Sequence, residues 1–571
     1  MRRVAQRIAR ANTTLLFTNT RSQTEIWFQA LSAVRPGWEG QLAVHHGSLD
    51  LDERREVEAR LREGTVRCVV CTSSLDLGVD FSPVDQVIQV GSPKGVARLL
   101  QRAGRSGHQP GKLSKILCVP TNALELVEFA AARDAIEARQ IEARIPLRKP
   151  LDVLVQHLLT LAIGQPDRPD DLRCEVETTH AFRGLTDEEW DWALGFITSG
   201  GKALQAYPNY RKAELVDGLL TVRDKRHIQL HRMSIGTITS DLAVTVRYAK
   251  GRTLGTVEEG FVSKMNPGTQ FIFAGRRLEL ISFRNHTALV RNATRNSKGR
   301  VAIWGGSRMS LSNELALAVA RRLHQAVEET PETERVAPIL ALQRAWSSLP
   351  SRQELLVEHT RTEEGEHLFV FPMAGRLVHE GLGALAAYRF SRESDATIQV
   401  SMNDYGFALH SGQALLLDED ALRSALAPDD LLDDLLACLN TVELARRRFR
   451  EVARVAGLVV QNFPGRRRTT RDLHASSSLL YDVFRNYDPG NLLLAQAERE
   501  ILEQQLEWTR LKATMEDLAA RPFRLVETRR LSPFAFPLWA DRLQAVTAGK
   551  DYATRLESML KDLENAALRG I

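Results

Sequence analysis

The sequence predicts an α/β protein: a parallel-sheet domain, then a winged-helix domain, then an α+β C-terminal domain with a small β-barrel or curled sheet plus helices. Three observations carry this prediction. Short, fully apolar runs alternate with helical patterns over residues 14–145, as in a doubly wound sheet covered on both faces. Helices followed by a short basic hairpin occupy the stretch after Pro150. Period-two alternation with frequent glycine turns then runs from Ile235 to about Val301.

The elements follow in order. Residues 15–20 (LLFTNT) read as a strand, with a helix from about Ser22; 41–46 (QLAVHH) form a second strand, and Asp50 to Glu63 an amphipathic helix. Residues 66–73 and 86–91 are buried strands, Val96–Ala103 a helix, 115–121 another strand, and Leu124 to Ala143 a long helix. Short helices are expected over Leu151–Ile163 and Thr186–Ser199. A Gly200-Gly201 break follows, then a basic segment to Arg232 holding the hairpin. Residues 311–328, 376–389, 428–456 and 491–519 carry helical periodicity. The corresponding domains are 1–148, 149–238 and 239–571.

Composition narrows the class. At 571 residues, 43% hydrophobic and 26% charged, the chain can build several cores. It is neither disordered, nor collagen-like, nor a disulfide-stapled miniature. No apolar run approaches the roughly 18–20 residues of a membrane span. Five cysteines make no disulfide framework and fit a reducing cytoplasm, so a cytoplasmic location is expected. The net charge of +5 hides an uneven distribution: residues 1–150 hold 22 Lys/Arg against 16 Asp/Glu, and residues 201–310 hold 19 against 7. A block of +12 inside a near-neutral chain calls for a local anionic partner, nucleic acid first.

Four segments of the first domain fall at strand ends or helix starts: LLFTNTR (15–21), HHGSLDLDER (45–54), CTSSLDLGVDF (71–81) and QRAGRSGH (101–108). In this order and at these spacings they resemble motifs IV, IVa, V and VI of superfamily 2 helicases, carried on the second of two RecA-like domains. GGKALQAYPNYRK (200–212), IWGGSRMSLSNEL (303–315), FPMAGRLVHEGL (371–382), NDYGF (403–407) and SSSLLYDVF (476–484) extend the likeness. These segments resemble the Lhr (large helicase-related) family, in its ligase-associated DEXH-box branch. There is no G-x-x-x-x-G-K-[ST], and Asp187-Glu188-Glu189-Trp190 lacks the closing residue of a DExD/H box. The first RecA-like domain is therefore expected to be absent, by truncation, gene splitting or an internal start.

The resemblance implies an ATP-dependent, 3′-to-5′ DNA helicase or translocase acting in DNA repair. Its expected cofactors are ATP and Mg2+, bound mainly by the absent domain. The expected partners are single-stranded DNA or a 3′-tailed duplex, that first domain, a DNA ligase and an associated nuclease. It also assigns residues. Arg102 and Arg105, three apart on one helix face, form the catalytic pair, with Arg105 the arginine finger on the transferring phosphoryl group. Two ordinary solvated arginines are the alternative. Gly78, Asp80 and Gln101 fall to the nucleotide, Asp80 at the ribose. Arg21, His46, Gly47, Thr72 and Ser73 fall to the DNA strand; for Thr72 and Ser73 the competing role is capping, and His46 competes as a satisfied strand-end histidine. Trp304, with Arg308 beside it, is implied as a stacking platform, a contact worth roughly 1–3 kcal/mol per base. Ile235 stands open between an apolar DNA contact and a core residue. His108 occupies a place where many superfamily 2 enzymes carry another arginine. A non-catalytic DNA-binding module, or one subunit of a split motor, is the alternative for the isolated chain.

Other patterns point away from chemistry. Cys68 and Cys71 are formally CxxC, but in a strand residues three apart face opposite ways, so no metal or redox pair is expected. Asp429, Asp430, Asp433 and Asp434 follow Pro428 at a helix start, where carboxylates complement the helix dipole. Arg446–Arg448 and Arg466–Arg468 are phosphate contacts or solvated faces, with nothing in the sequence to separate the two.

Overall fold

The computed structural model describes all residues except 77–83, 108–112, 144–145, 238–242, 250, 263–264, 285–286, 294–299, 303–308, 325–329, 394–396, 413–418, 439–440, 461, 464–465, 468–469, 506, 547–549 and 570–571. Its first sheet is wholly parallel. It comprises β1 (Thr14–Phe17), β2 (Leu42–His45), β3 (Cys68–Cys71), β4 (Gln86–Val90) and β5 (Ile116–Val119) in the order β2-β3-β1-β4-β5. The side chains of β3 alternate across this sheet: Val69 and Cys71 enter one core, Cys68 and Val70 the other. Burial pushes the Cys68 thiol up to about 12, so neither sulfur offers the thiolate a redox or metal pair needs. The long helix after β5 stops at Glu137 rather than Ala143, because Arg139 adopts a left-handed conformation (φ 56°) that ends it.

The winged-helix region contains helices Leu151–Gly164, Pro169–Glu177 and Asp187–Ser199 and a hairpin of β6 (Glu214–Val216) and β7 (Leu219–Thr221). Thr186 and Glu189 close a capping box on the third helix, and Gly200 (φ 84°) ends it. The basic segment corrects one expectation. Its hairpin is confined to residues 214–221, and Lys225–Ser234 form a helix capped by Asp224.

A curled half-barrel follows, built from β8 (Ala243–Tyr248), β9 (Thr253–Glu258), β10 (Gln270–Phe273), β11 (Arg276–Arg284), β12 (Thr287–Asn292) and β13 (Arg300–Val301). Among the described residues its order is β13-β10-β11-β12-β8-β9, with two edges. Beyond it lies a second mixed sheet that the helical periodicities did not reveal: β14 (Leu355–Thr362), β15 (Gly365–Phe371), β16 (Ile398–Met402) and β17 (Phe407–Ser411). It is joined at the edge by the late strand β20 (Phe523–Thr528), while β18 (Asn462–Phe463) and β19 (Arg466–Arg467) pair apart. Its strands carry buried Glu358, Thr360, His367 and His410, which blur the apolar signal. Within the expected helix 428–456, Leu431–Cys438 and Thr441–Val455 are helical, and residues 439–440 lie outside the described residues. The helix expected over 491–519 is interrupted near Glu507, which is left-handed at φ 45°.

The cores cross between regions. Val44 and Leu49 of the parallel-sheet domain pack into the half-barrel core. Val96, Leu99, Val127 and Ala131 share a core with Leu315, Val319, Phe369 and Trp539. The winged-helix residues Leu154, Leu158 and Phe196 join Leu382, Phe449 and Phe484 in another. Among the described residues no helix is long and apolar enough to cross a membrane, and no cluster of His, Cys, Asp and Glu could hold a metal ion.

Candidate nucleic-acid interface

β2, β3 and β1 are neighbours, so the loops leaving their carboxyl ends share one edge of the sheet, where open α/β folds gather ligands. Arg21 opens the helix after β1, which Thr20 caps by accepting from the Gln23 amide. Its Nη1 donates to Ser48 Oγ at 2.6 Å. Gly47, after β2, is exposed with open space around its Cα. After β3, Ser73 is exposed, whereas Thr72 is buried and its amide donates to the His45 carbonyl at 3.3 Å. Arg21, Gly47 and Ser73 are thus presented outward together.

His46 differs. It is 0% exposed, its Nε2 lies 3.2 Å from Glu25 Oε1, and its Nδ1 accepts from the Ser48 amide at 3.3 Å. Glu25 also accepts from the Gly275 amide at 2.8 Å, tying this loop to the half-barrel. The buried ring is hydrogen-bonded on both nitrogens, as a satisfied strand-end histidine is, and shapes the loop.

Motif VI begins in the last turn of the helix Val96–Ala103 and runs on into the turn beyond it. Glu142 caps that helix, accepting from Val96 N at 2.5 Å and Ala97 N at 2.7 Å while Ser312 donates to it at 2.7 Å. Burial opposes its charge, but these hydrogen bonds outweigh burial and hold the carboxyl below its ordinary range. A carboxylate at the positive end of the helix dipole also fixes the helix start.

The two motif arginines have different surroundings. Arg102 is 1% exposed: its Nε donates to Asp76 Oδ1 at 3.0 Å, its Nη1 to Gln89 Oε1 at 2.6 Å, and its guanidinium lies 4.9 Å from the Phe17 ring centroid. It spans motif V, β4 and β1 from inside. Arg105 is half-buried in the turn after the helix, with Gln101 exposed one turn earlier. Ser106 fixes that turn: it pairs with Val84, and its hydroxyl bonds the Ala103 carbonyl and both backbone groups of Lys115. Gly78, Asp80 and His108 lie outside the described residues, as do Trp304 and Arg308.

Ile235 is 53% exposed immediately after the Lys225–Ser234 helix, which removes it from the core. Its loop is pinned from behind. The Gln156 amide accepts from Gly236 N at 2.8 Å and donates to the Gly236 and Val455 carbonyls at 3.3 and 2.8 Å. The helix divides its residues by spacing: Lys225, Gln229 and Arg232 are exposed, while His227, Leu230, His231 and Ser234 turn inward. Sequence reasoning missed Gln156 and Glu142, whose partners lie 80 and 45–46 residues away; no local pattern marks either.

Three family descriptions match successive parts of the chain: helicase conserved C-terminal domain over residues 2–109, large helicase-related protein winged helix domain over 134–300, and DEAD/H associated over 349–535. The chain belongs to the Lhr family of helicases. Among its Lhr relatives, the ATP-dependent helicase Lhr-Core protein 2 of Thermococcus barophilus is 31% identical over 560 residues, 94% of this chain and 64% of that protein. The Lhr helicase/uracil glycosylase of Escherichia coli is 27% identical over 86% of this chain and 34% of its own length. The structure of Mycobacterium smegmatis helicase Lhr bound to ssDNA and AMP-PNP shares the Lhr fold over 94% of this chain, with a TM-score of 0.72 and 24% identity. The chain thus spans about two thirds of the Lhr-Core proteins it matches, 64% of the first.

Proposed function

We propose that the chain is the C-terminal portion of an ATP-dependent DNA helicase or translocase. In this reading it grips single-stranded DNA, or the tail of a 3′-tailed duplex, and supplies the arginine-finger half of an ATP site. The observation that carries the reading is the common outward edge holding Arg21, Gly47 and Ser73 at the ends of three adjacent parallel strands. Arginine and exposed backbone N–H groups on such an edge suit a phosphate backbone and read no sequence. Lhr relatives named as ATP-dependent helicases, and one solved with ssDNA and AMP-PNP, support the same assignment.

ATP and Mg2+ would be held mainly by a first RecA-like domain, which this reading makes the chain's structural partner. The half-buried Arg105 fits a guanidinium offered to a triphosphate from one side, where it would stabilise charge on the transferring phosphoryl group. Arg102 then acts through position, by locking motif V to motif VI. Gln101, Gly78 and Asp80 would complete the nucleotide contacts, and Ile235, Trp304 and Arg308 the DNA grip. Movement in the 3′-to-5′ direction, a repair role and association with a ligase and nuclease complete the proposal.

The test is a fluorescence-anisotropy titration of single-stranded DNA at two salt concentrations, with Ile235→Ala and Trp304→Ala beside the parent chain. Salt-sensitive binding that weakens several-fold in each variant is expected. Salt-independent binding, or unchanged variants, would overturn the DNA grip. Adding a first RecA-like domain separates the motor from a non-catalytic DNA-binding module. A motor gains ATP turnover that Arg105→Ala removes without loss of DNA affinity; a module gains none.

A further inference from the structure

Behind the Lys225–Ser234 helix lies a cavity of about 360 Å3, enclosed between the winged-helix region and the turn after the Thr441–Val455 helix. That volume falls near the small end of ligand pockets, suited to a ligand no larger than a mononucleotide. From that helix its lining takes Arg226, His227, Leu230, His231 and Ser234 and none of Lys225, Gln229 and Arg232.

The lining is divided. Lys212, Arg226, His227 and His231 supply positive or protonatable groups, and none of the described lining residues carries a carboxylate. Leu159, Val222, Leu230, Leu458 and Leu479 make an apolar wall. The Tyr210 ring stands in the same lining, held edge-on by Tyr207 at 6.5 Å. Local structure explains only part of the charge. Lys212 Nζ donates to the Ala456 and Gly457 carbonyls at 3.1 and 2.8 Å, which caps the preceding helix, and His231 Nε2 is 2.9 Å from Thr160 Oγ1. His227 Nδ1 lies 3.6 Å from Asp224 Oδ2, and none of these contacts calls for Arg226 on the same cavity. Gly457 is fitted to the arrangement: at φ +69° a Cβ would stand 2.9 Å from Lys212 Nζ.

We propose that this cavity is a nucleotide-binding site, taking a phosphate monoester on its cationic side and a planar base against Tyr210 and the apolar wall. A free mononucleotide and the 5′-phosphorylated end of a strand present the same chemistry.

Calorimetric titration of the full chain with AMP, adenosine and inorganic phosphate tests the site. AMP binds saturably and adenosine binds about tenfold more weakly, the loss expected for one charge-assisted contact. Arg226→Gln weakens AMP by a similar factor and leaves adenosine unchanged. Leu230→Trp, which fills the cavity, removes binding, with circular dichroism confirming that the variant folds. Arg105→Ala leaves AMP binding intact, so this result stands apart from the proposed ATP edge. Absence of saturable AMP binding would overturn the proposal. So would binding that survives both cavity variants, or that disappears in Arg105→Ala. A 5′-phosphorylated trinucleotide that displaces AMP, where its 5′-hydroxyl counterpart does not, identifies a strand end as the occupant; failure of both to displace it identifies the free nucleotide.

Discussion

Lys94 Nζ lies 3.1 Å from Asp404 Oδ2, joining the residue just ahead of the motif VI helix to the turn between β16 and β17. The same ammonium is 2.9 Å from the fully buried Glu128, to which the Tyr405 hydroxyl also donates. Burial works against the Lys94 charge, but the two carboxylates outweigh it and raise its pKa. Asp404 and Tyr405 belong to NDYGF, so this segment of the C-terminal region holds the parallel-sheet domain at the base of motif VI.

Removing the cation should therefore cost more than removing a surface charge. Lys94→Met leaves Glu128 buried without its cation, and a loss of about 3–5 kcal/mol is expected. In Lys94→Met/Glu128→Gln part of that loss returns, because the fully buried carboxylate at 128 is gone and only the partly exposed Asp404 has lost its cation. Urea unfolding of the two variants checks this; equal losses would mean that Glu128 does not depend on Lys94.

Arg102 and Arg105 should separate just as clearly. Arg102→Ala strands Asp76 beside an emptied space and should cost about 3–5 kcal/mol. Arg105→Ala, on a half-buried turn, should cost less, about 1 kcal/mol. Thermal unfolding of both measures the contrast, and comparable shifts would show that Arg102 is not the internal tie its contacts describe.

The same pair marks how far the sequence could be read. The apolar runs of β1, β3 and β4 are buried on both faces, so their composition alone announced a parallel sheet. Motif order located the edge that presents Arg21, Gly47 and Ser73. Spacing predicts Arg102 and Arg105 on one face of a helix start, but the helix ends at Ala103 with Arg105 in the turn beyond. Burial of Arg102 depends on Asp76 and Gln89, which only the fold brings to it. His46 stood open between two roles for a related reason: its partner Glu25 sits 21 residues earlier, on the helix after β1. The second mixed sheet escaped because β20 comes from residues 523–528 and pairs with β14, more than 160 positions earlier.

Gly255 offers a test of how the half-barrel is attached. A Cβ there would stand 2.1 Å from the Ser48 carbonyl oxygen, and its φ of +143° disfavours any side chain. The contact is a backbone junction: the Ser48 carbonyl accepts from Thr256 N at 2.8 Å, and the Leu254 carbonyl accepts from Asp50 N at 3.0 Å. Gly255→Ala should cost about 1–3 kcal/mol and loosen the half-barrel from the motif IVa loop. Limited proteolysis should then cut residues 243–301 faster than in the parent chain. An unchanged digestion rate would mean that the junction tolerates a side chain.

Acid stability should report on His379, which links two of the Lhr segments. Its Nδ1 donates to the Asn403 carbonyl at 2.7 Å and its Nε2 accepts from the Ala374 amide at 2.9 Å, so the ring is held neutral in one tautomer. A second proton on Nε2 would point at an N–H. Burial lowers the ring to about 4, although the Asn403 carbonyl favours the charged form. The unfolded chain takes up this proton as pH falls through about 6.5, while the folded chain refuses it until about 4. Between those values the unfolded state binds more protons, so stability is fully present above the upper value and is lost as pH falls toward the lower one. The loss is on the order of 3 kcal/mol, at about 1.4 kcal/mol per pH unit. His45 and His367, lowered to about 4 mainly by burial, act in the same direction. Urea unfolding at pH 7, 6 and 5 should show His379→Gln less stable than the parent at pH 7 but with a shallower dependence on pH. Parallel slopes in the two proteins would mean that His379 takes up its proton equally in the folded and unfolded states, and that the link between residues 374–379 and Asn403 does not depend on a neutral ring.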